Sequence, residues 1–353
     1  MQIGLVGLTN SGKSTLFQLL TGVKNTAGQN KANKGVVKVP DARVDFLSGL
    51  FKPKKTTYAT LEAVDIPGLV PGQEKSAVTF LQAVRDSDVL IHVIQAFESD
   101  DAPHVEGSLD VFRDVEMVGY ELLLADLDQV SKRLEKITSG KRKQENEVEH
   151  ALLDRIQQCL EDEKPILSLD MNEEDELMVR NFQFLTAKPF VVAVNVDEND
   201  IQGENVAGMN QLKIYCNERG IPLQVVPAKI EQEISELEGD ERLMFMEDLG
   251  IKASGLEVLT RLVYAKLNLI SFFTVGEDEV KAWTINRGTI ARKAAGKIHS
   301  DIERGFIRAE VIEYDSFVAA GNMAAARDNG TLRLEGKEYV VKDGDIVHFR
   351  FNV

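Results

Sequence analysis

Residues 7–15 read Gly-Leu-Thr-Asn-Ser-Gly-Lys-Ser-Thr, the full pattern G-x-x-x-x-G-K-S-T of a phosphate-binding loop. The chemistry explains the residue types. Gly7 and Gly12 let the backbone turn sharply and bring N–H groups up to phosphate oxygens. Lys13 can reach the β- and γ-phosphates, and the Ser14 hydroxyl is a hard oxygen ligand suited to Mg²⁺. Asn10, Ser11, Gly12, Lys13, Ser14 and Thr15 are therefore assigned to a nucleotide, and Lys13 to the reaction as well.

Two further motifs complete the set. Asp65-Ile66-Pro67-Gly68 ends an apolar run. An Asp there holds Mg²⁺, directly or through water, and the Gly68 N–H contacts the γ-phosphate in hydrolases of this type. Leu69 follows, where Ras-like hydrolases place a glutamine that orients the attacking water; leucine has neither donor nor acceptor. Asn195-Val196-Asp197-Glu198 stands where guanine-specific proteins carry N-K-x-D. Val196 replaces the lysine and Glu198 the aspartate that accepts two bonds from guanine. The longer Glu198 misplaces its carboxylate, which favours ATP, although Asp197 beside it leaves GTP open. Ala228, in Pro227-Ala228-Lys229, could offer a backbone N–H to the base.

These residues need a scaffold that gathers them at one edge. Apolar stretches rich in Val, Ile and Leu predict strands over Gln2–Val6, Gly35–Val39, Leu61–Ile66, Val89–Ile94, Phe190–Asn195 and Leu223–Val226. Strands alternating with helices give an α/β, doubly wound, mostly parallel sheet, whose ligands sit at the carboxyl ends of the strands. Between the strands at 89–94 and 190–195, apolar residues recur at helical spacing on both sides of Ser139-Gly140. This predicts two long antiparallel helices of about 20 residues, roughly 30 Å each. Lys132, Arg133, Lys136, Lys141, Arg142 and Lys143 lie near their turn, able to contact RNA phosphates. After residue 275 the pattern becomes that of a small α+β domain. Short strands are expected at 281–285, 308–314, 331–334 and 339–341, the last two as a hairpin through Leu334–Tyr339. Helices are expected near 290–304 and 319–328. The expected domains are 1–275 for the nucleotide, with a helical insertion at 112–187, and 276–353.

At 353 residues, 43% hydrophobic and 28% charged, the composition is that of a globular protein of two or three domains. No apolar run is long enough to span a bilayer. The first strand starts at residue 2, so no leader is expected, and two widely separated cysteines suit a reducing cytoplasm. The net charge of −16 argues against a general nucleic-acid coat and against DNA sequence recognition, but leaves room for a local basic patch. A monomer is expected.

Taken together, the residues resemble the YchF/Obg-like ATPases of the translation-factor class of P-loop proteins. The likeness runs nearly end to end. It covers the phosphate loop, Asp65–Val70, Asn195–Glu198 and Glu231–Asp248. It is closest in Ala282–Thr284, Ala294–His299, Glu303–Glu310 and Leu332–Val353. The resemblance implies a P-loop domain carrying a helical coiled-coil insertion, then a β-grasp TGS domain. It further implies ATP in preference to GTP, slow hydrolysis with Mg²⁺, and association with ribosomes through the basic hairpin tip and the TGS domain. It also implies a catalytic histidine in a mobile loop, and His104 is the matching position. By analogy with related proteins, Asn10 could help hold K⁺ in place of an arginine finger. Two segments depart from the family. The stretch 26–34 is short and lacks the usual threonine, with Thr26 a poor substitute. The stretch Gln73–Ser76 lacks the glycine-rich switch. A nucleotide-regulated binding module with negligible turnover and a true GTPase are the alternative readings.

Overall fold

Runs of Val, Ile and Leu bounded by Gly, Pro and Asn form the strands in the computed structural model, which describes residues 1–23, 33–139 and 147–352. In chain order these are β1 (Gln2–Val6), β2 (Asn33–Lys38), β3 (Lys55–Thr57), β4 (Thr60–Asp65), β5 (Val89–Ala96) and β6 (Phe190–Val196). They continue with β7 (Leu223–Val226), β8 (Leu269–Thr274), β9 (Glu279–Asn286), β10 (Phe306–Glu313), β11 (Arg333–Glu335) and β12 (Asp345–Phe351). The chain divides into two compact units, one of Met1–Val36 with Glu62–Leu259 and one of Val37–Leu61 with Thr260–Val353.

The first sheet has the order β2-β4-β1-β5-β6-β7. Within it β4, β1, β5, β6 and β7 run parallel. Every residue of β5 is buried, as expected for a strand covered on both faces. The register aligns Leu5 with Asp65, Gln95 with Asn195, and Asn195 with Val226. The carboxyl ends of β1, β4, β6 and β7 therefore come level. All the motif residues expected to meet the nucleotide leave the sheet at that rim.

The helical insertion is asymmetric. Its first helix, Val111–Ser139, has 29 residues and its second, Glu147–Glu161, has 15, in place of two equal helices. The long helix serves two cores. Val111, Val115 and Val118 pack with the sheet. Val130, Leu134 and Ile137 pack instead against Leu152, Leu153, Ile156 and Leu160 of the shorter helix and against Phe184 beyond it. Asp126 lies between, fully buried, and accepts from Leu185 N–H at 2.9 Å, Thr186 N–H at 2.7 Å and Thr186 Oγ1 at 2.8 Å. Of the basic residues expected at the tip, Lys132 pairs with Asp128 and Arg133 with Glu149, and Lys136 is exposed. Lys141, Arg142 and Lys143 lie outside the described residues, as does Thr26. Among the described residues no helix is long and apolar enough to cross a membrane.

The second unit holds a mixed sheet of order β11-β10-β12-β8-β9-β3. Phe272, Val311, Val347 and Phe349 pack there against Ala291, Ala294 and Ala295 of the helix Ala291–Ile298. Three expectations change here. The boundary at 275/276 falls inside the sheet, because β8 and β9 pair from Leu269 with Asn286 to Thr274 with Lys281. Residues 37–61 belong to this unit, with β3 at the sheet edge beside β9. The hairpin expected through Leu334–Tyr339 does not form. β11 pairs with β10, residue 334 opposite 310, and only a single bridge joins Val340 to Ile290.

Candidate nucleotide-binding site

The phosphate loop runs from β1 into the helix Lys13–Thr21. Gly12 caps that helix in the left-handed region, φ 87°, and a Cβ there would come within 2.2 Å of Asn195 Nδ2. Only glycine fits both the backbone and the space. The helix's leading N–H groups and its positive end are left facing the loop's hollow, a ready anion site. Lys13 is buried within it. Its ammonium donates to Leu8 O at 2.6 Å, and burial pushes its pKa down to about 8 against the opposing pull of Asp65. Ser11 is buried beneath it and Thr15 is exposed on the helix.

Ser14 and Asp65 meet as the sequence predicts. Ser14 Oγ donates to Asp65 Oδ2 at 2.7 Å. The other carboxylate oxygen, Oδ1, is buried without a hydrogen-bond partner. A buried carboxylate oxygen seldom stays unsatisfied. Two hard oxygens and an unmet acceptor beside a phosphate cradle fit Mg²⁺, which binds through one or two side chains plus phosphate and water.

The strand end after Asp65 is tied to the loop. Leu69 N–H donates to Gly7 O at 3.0 Å and Thr9 N–H to Leu69 O at 3.1 Å. Gly68 lies so close that a Cβ would meet Thr9 Cα at 2.8 Å and Lys13 Nζ at 3.0 Å. Leu69 points the other way, into the core with Val6, Leu8 and Phe80. Ser76 was not foreseen. Its hydroxyl accepts from Val70 N–H and donates to Gly68 O, so the short stretch after Gly72 still fastens this turn.

On the base side, Asn195 is a clip. Its Nδ2 donates to Ser11 O at 3.3 Å and its Oδ1 accepts from Ala228 N–H at 3.2 Å. The Ala228 N–H expected to serve the base is thus given to Asn195. Val196 sits in the core with Met209 and Leu212 rather than over the base. Asp197 caps its own turn, accepting from Asn199 N–H and Nδ2. Glu198 pairs with Lys229 at 2.6 Å, a partner that sequence spacing alone did not offer.

His104 lies in the loop after β5, with 5% of its side chain exposed. Glu106 N–H donates to Nδ1, so that nitrogen carries no proton. Nε2–H then donates to Asp114 Oδ2 at 2.7 Å. Asn10, with φ 67°, donates from Nδ2 to Pro103 O at 2.8 Å, joining the phosphate loop to the residue before His104.

Comparison with known proteins agrees with this geometry. Residues 2–116 match a family model described as a 50S ribosome-binding GTPase. Residues 269–352 match the model of the YchF GTPase C-terminal region, described as a protein of unknown function. The chain is 43% identical over 368 residues to the ribosome-binding ATPase YchF of Bacillus subtilis, covering 99% of each. It is 41% identical to that of Pasteurella multocida, again with 99% of each covered. A solved structure of the YchF GTPase of Schizosaccharomyces pombe superposes with a TM-score of 0.87 at 32% identity, over 99% of this chain and 97% of that one. With a phosphate loop, a metal-suited Ser14–Asp65 pair and likeness over its full length, this P-loop nucleoside triphosphatase belongs to the YchF family.

Proposed function

We propose that the chain is a ribosome-associated ATPase of low intrinsic turnover that prefers ATP to GTP and works as a conformational switch. The observation that carries this reading is the Ser14–Asp65 pair, with an unpartnered oxygen, beside the buried ammonium of Lys13. Lys13 and the helix N-terminus would hold the phosphates and stabilise charge as it spreads over the γ-phosphoryl oxygens. Ser14 and Asp65 would hold Mg²⁺, which supplies Lewis-acid neutralisation of those oxygens. Gly68 would offer its N–H to the γ-phosphate. With Leu69 turned into the core, water needs another partner, and His104 is assigned that role. K⁺ would use Asn10 Oδ1.

Base preference rests on the carboxylates. Asp197 is taken up in its cap and Glu198 by Lys229. Each carboxylate then has one oxygen engaged, Asp197 Oδ1 and Glu198 Oε2, which weakens it as the two-oxygen acceptor that guanine needs. Titrating ADP and GDP side by side tests this; tighter GDP binding would reverse the assignment. Phosphate release with ATP, with and without ribosomes, tests the reaction, and Lys13→Ala turning over at the wild-type rate would remove the enzyme reading.

On the second unit, one face of the sheet could contribute to ribosome contact. Register places Arg308 opposite Arg350, and Glu310 opposite His348, on one face of the sheet. Arg308 and His348 are exposed there, and Arg350, exposed too, pairs with Glu310, so Arg308 is the cation on this face best suited to an RNA phosphate. At the hairpin tip Lys132 and Arg133 are likewise paired, with Asp128 and Glu149, and Lys136 is exposed. The protein would act as a cytoplasmic monomer. A regulated module with negligible turnover is the second reading, favoured by the engaged state of both His104 ring nitrogens.

A further inference from the structure

Three consecutive residues of the loop after β5 are each held by a different element. Ala102 O accepts from Gln95 Nε2 at 2.9 Å, at the end of β5. Pro103 O accepts from Asn10 Nδ2 at 2.8 Å, in the phosphate loop. The His104 ring donates to Asp114 at 2.7 Å, on the first turn of the long helix. Asp114 is itself anchored. Its Oδ1 accepts from Arg113 Nε at 3.0 Å and Nη2 at 2.8 Å, and Arg113 reaches back to Ser108 O at 2.7 Å and Ser108 Oγ at 3.0 Å. The far end of the loop is thus tied to the same carboxylate.

This arrangement parks the histidine. One ring nitrogen accepts a backbone N–H, the other donates to a carboxylate that is 2% exposed, and the ring itself is almost wholly covered. A ring so placed has no nitrogen left for water. We propose that Asp114 is a positioning residue that holds His104 away from the reaction, so that turnover waits on breaking the His104–Asp114 bond. The inference rests on the assignment of His104 to the attacking water. It goes further in naming what restrains that residue. Because the neighbouring Pro103 is held by Asn10, the restraint reaches the loop that takes the phosphates.

The test uses the full chain with Asp114→Ala and the milder Asp114→Asn, which keeps the volume and one acceptor but loses the charge. Removing one charge-assisted hydrogen bond should raise the released fraction, and with it kcat, about tenfold. KM for ATP should stay unchanged, and Asp114→Asn should fall between. Hydrogen exchange at the Glu106 and Gly107 amides should rise by about the same factor. Adding His104→Ala to Asp114→Ala should erase the gain. A folded Asp114→Ala protein whose kcat is unchanged or lower, or whose Glu106 amide exchanges no faster, overturns the proposal. If His104→Ala lowers turnover in the otherwise wild-type chain, the assignment of His104 survives that failure. If His104→Ala matches wild type in both backgrounds, the assignment of His104 fails and the restraint on catalysis falls with it.

Discussion

Lys13 carries its charge in a place that opposes charge, and this has a measurable sign. Burial lowers its pKa to about 8, and the protonated amine is the form that would hold phosphate under the proposed function. Affinity for a non-hydrolysable ATP analogue should hold steady up to about pH 8, then fall about tenfold per pH unit as the amine empties. Calorimetric titration across that range checks it, and a flat profile to about pH 10 would contradict it. Gly68 offers a second measurement. Gly68→Ala must push Thr9 or Lys13 aside. Displacements of this kind cost about 10²-fold in rate, so phosphate release should drop by that order while the circular dichroism spectrum is kept. That Lys13, Ser14, Asp65 and Gly68 come together was legible in the sequence, because a phosphate-binding loop and its partner motif place those types at fixed spacing. Ser76, Asp114 and Lys229 were not. Each takes its role from a neighbour that only the folded chain supplies, and a serine, an aspartate or a lysine in those positions has no distinguishing pattern.

The helix Val111–Ser139 depends on a polar joint between its two cores. Asp126 accepts three bonds there with no access to water. Asp126→Ala strands two backbone N–H groups and one hydroxyl, and should cost about 3 kcal/mol or more. Urea unfolding followed by circular dichroism measures this, with Asp126→Asn expected to recover part of the loss. The helix itself was readable, since apolar residues at helical spacing mark it whatever they pack against. Its length was not, because one period continues unbroken from the sheet contacts into the hairpin core. The absence of the hairpin expected at 331–341 has a similar cause. Glu335-Gly336-Lys337 is a genuine turn signal, yet β11 finds its partner in β10 instead. Meanwhile Tyr339 turns its hydroxyl to buried Asp345 at 2.9 Å. Turn chemistry is local and strand choice is not.

At the scale of the molecule, the second unit is assembled from two distant parts of the chain. A fragment of residues 276–353 lacks β8, which pairs with both β12 and β9 and buries Phe272 and Phe273 completely. It should remain unfolded, with poor dispersion in its NMR spectrum. Residues 37–61 joined by a flexible linker to 260–353 should give a dispersed, cooperative spectrum. The α/β class and the places of the first sheet's strands could be read from the sequence, because they follow from short-range alternation of strand and helix; the order of those strands could not. The discontinuity could not, since nothing in the pattern of 37–61 says which sheet it will join. That discontinuity also sets a clock during synthesis. Val44 and Leu47, fully buried in the finished unit, emerge early, while β12 emerges last. At about 5–20 residues per second, the early segment waits roughly fifteen seconds to a minute for its partners. The first unit can close around its nucleotide site while the second is still incomplete. Between β2 and β4, Val44 and Leu47 and the strand β3 must pass that interval without β9, open to chaperones or to misfolding.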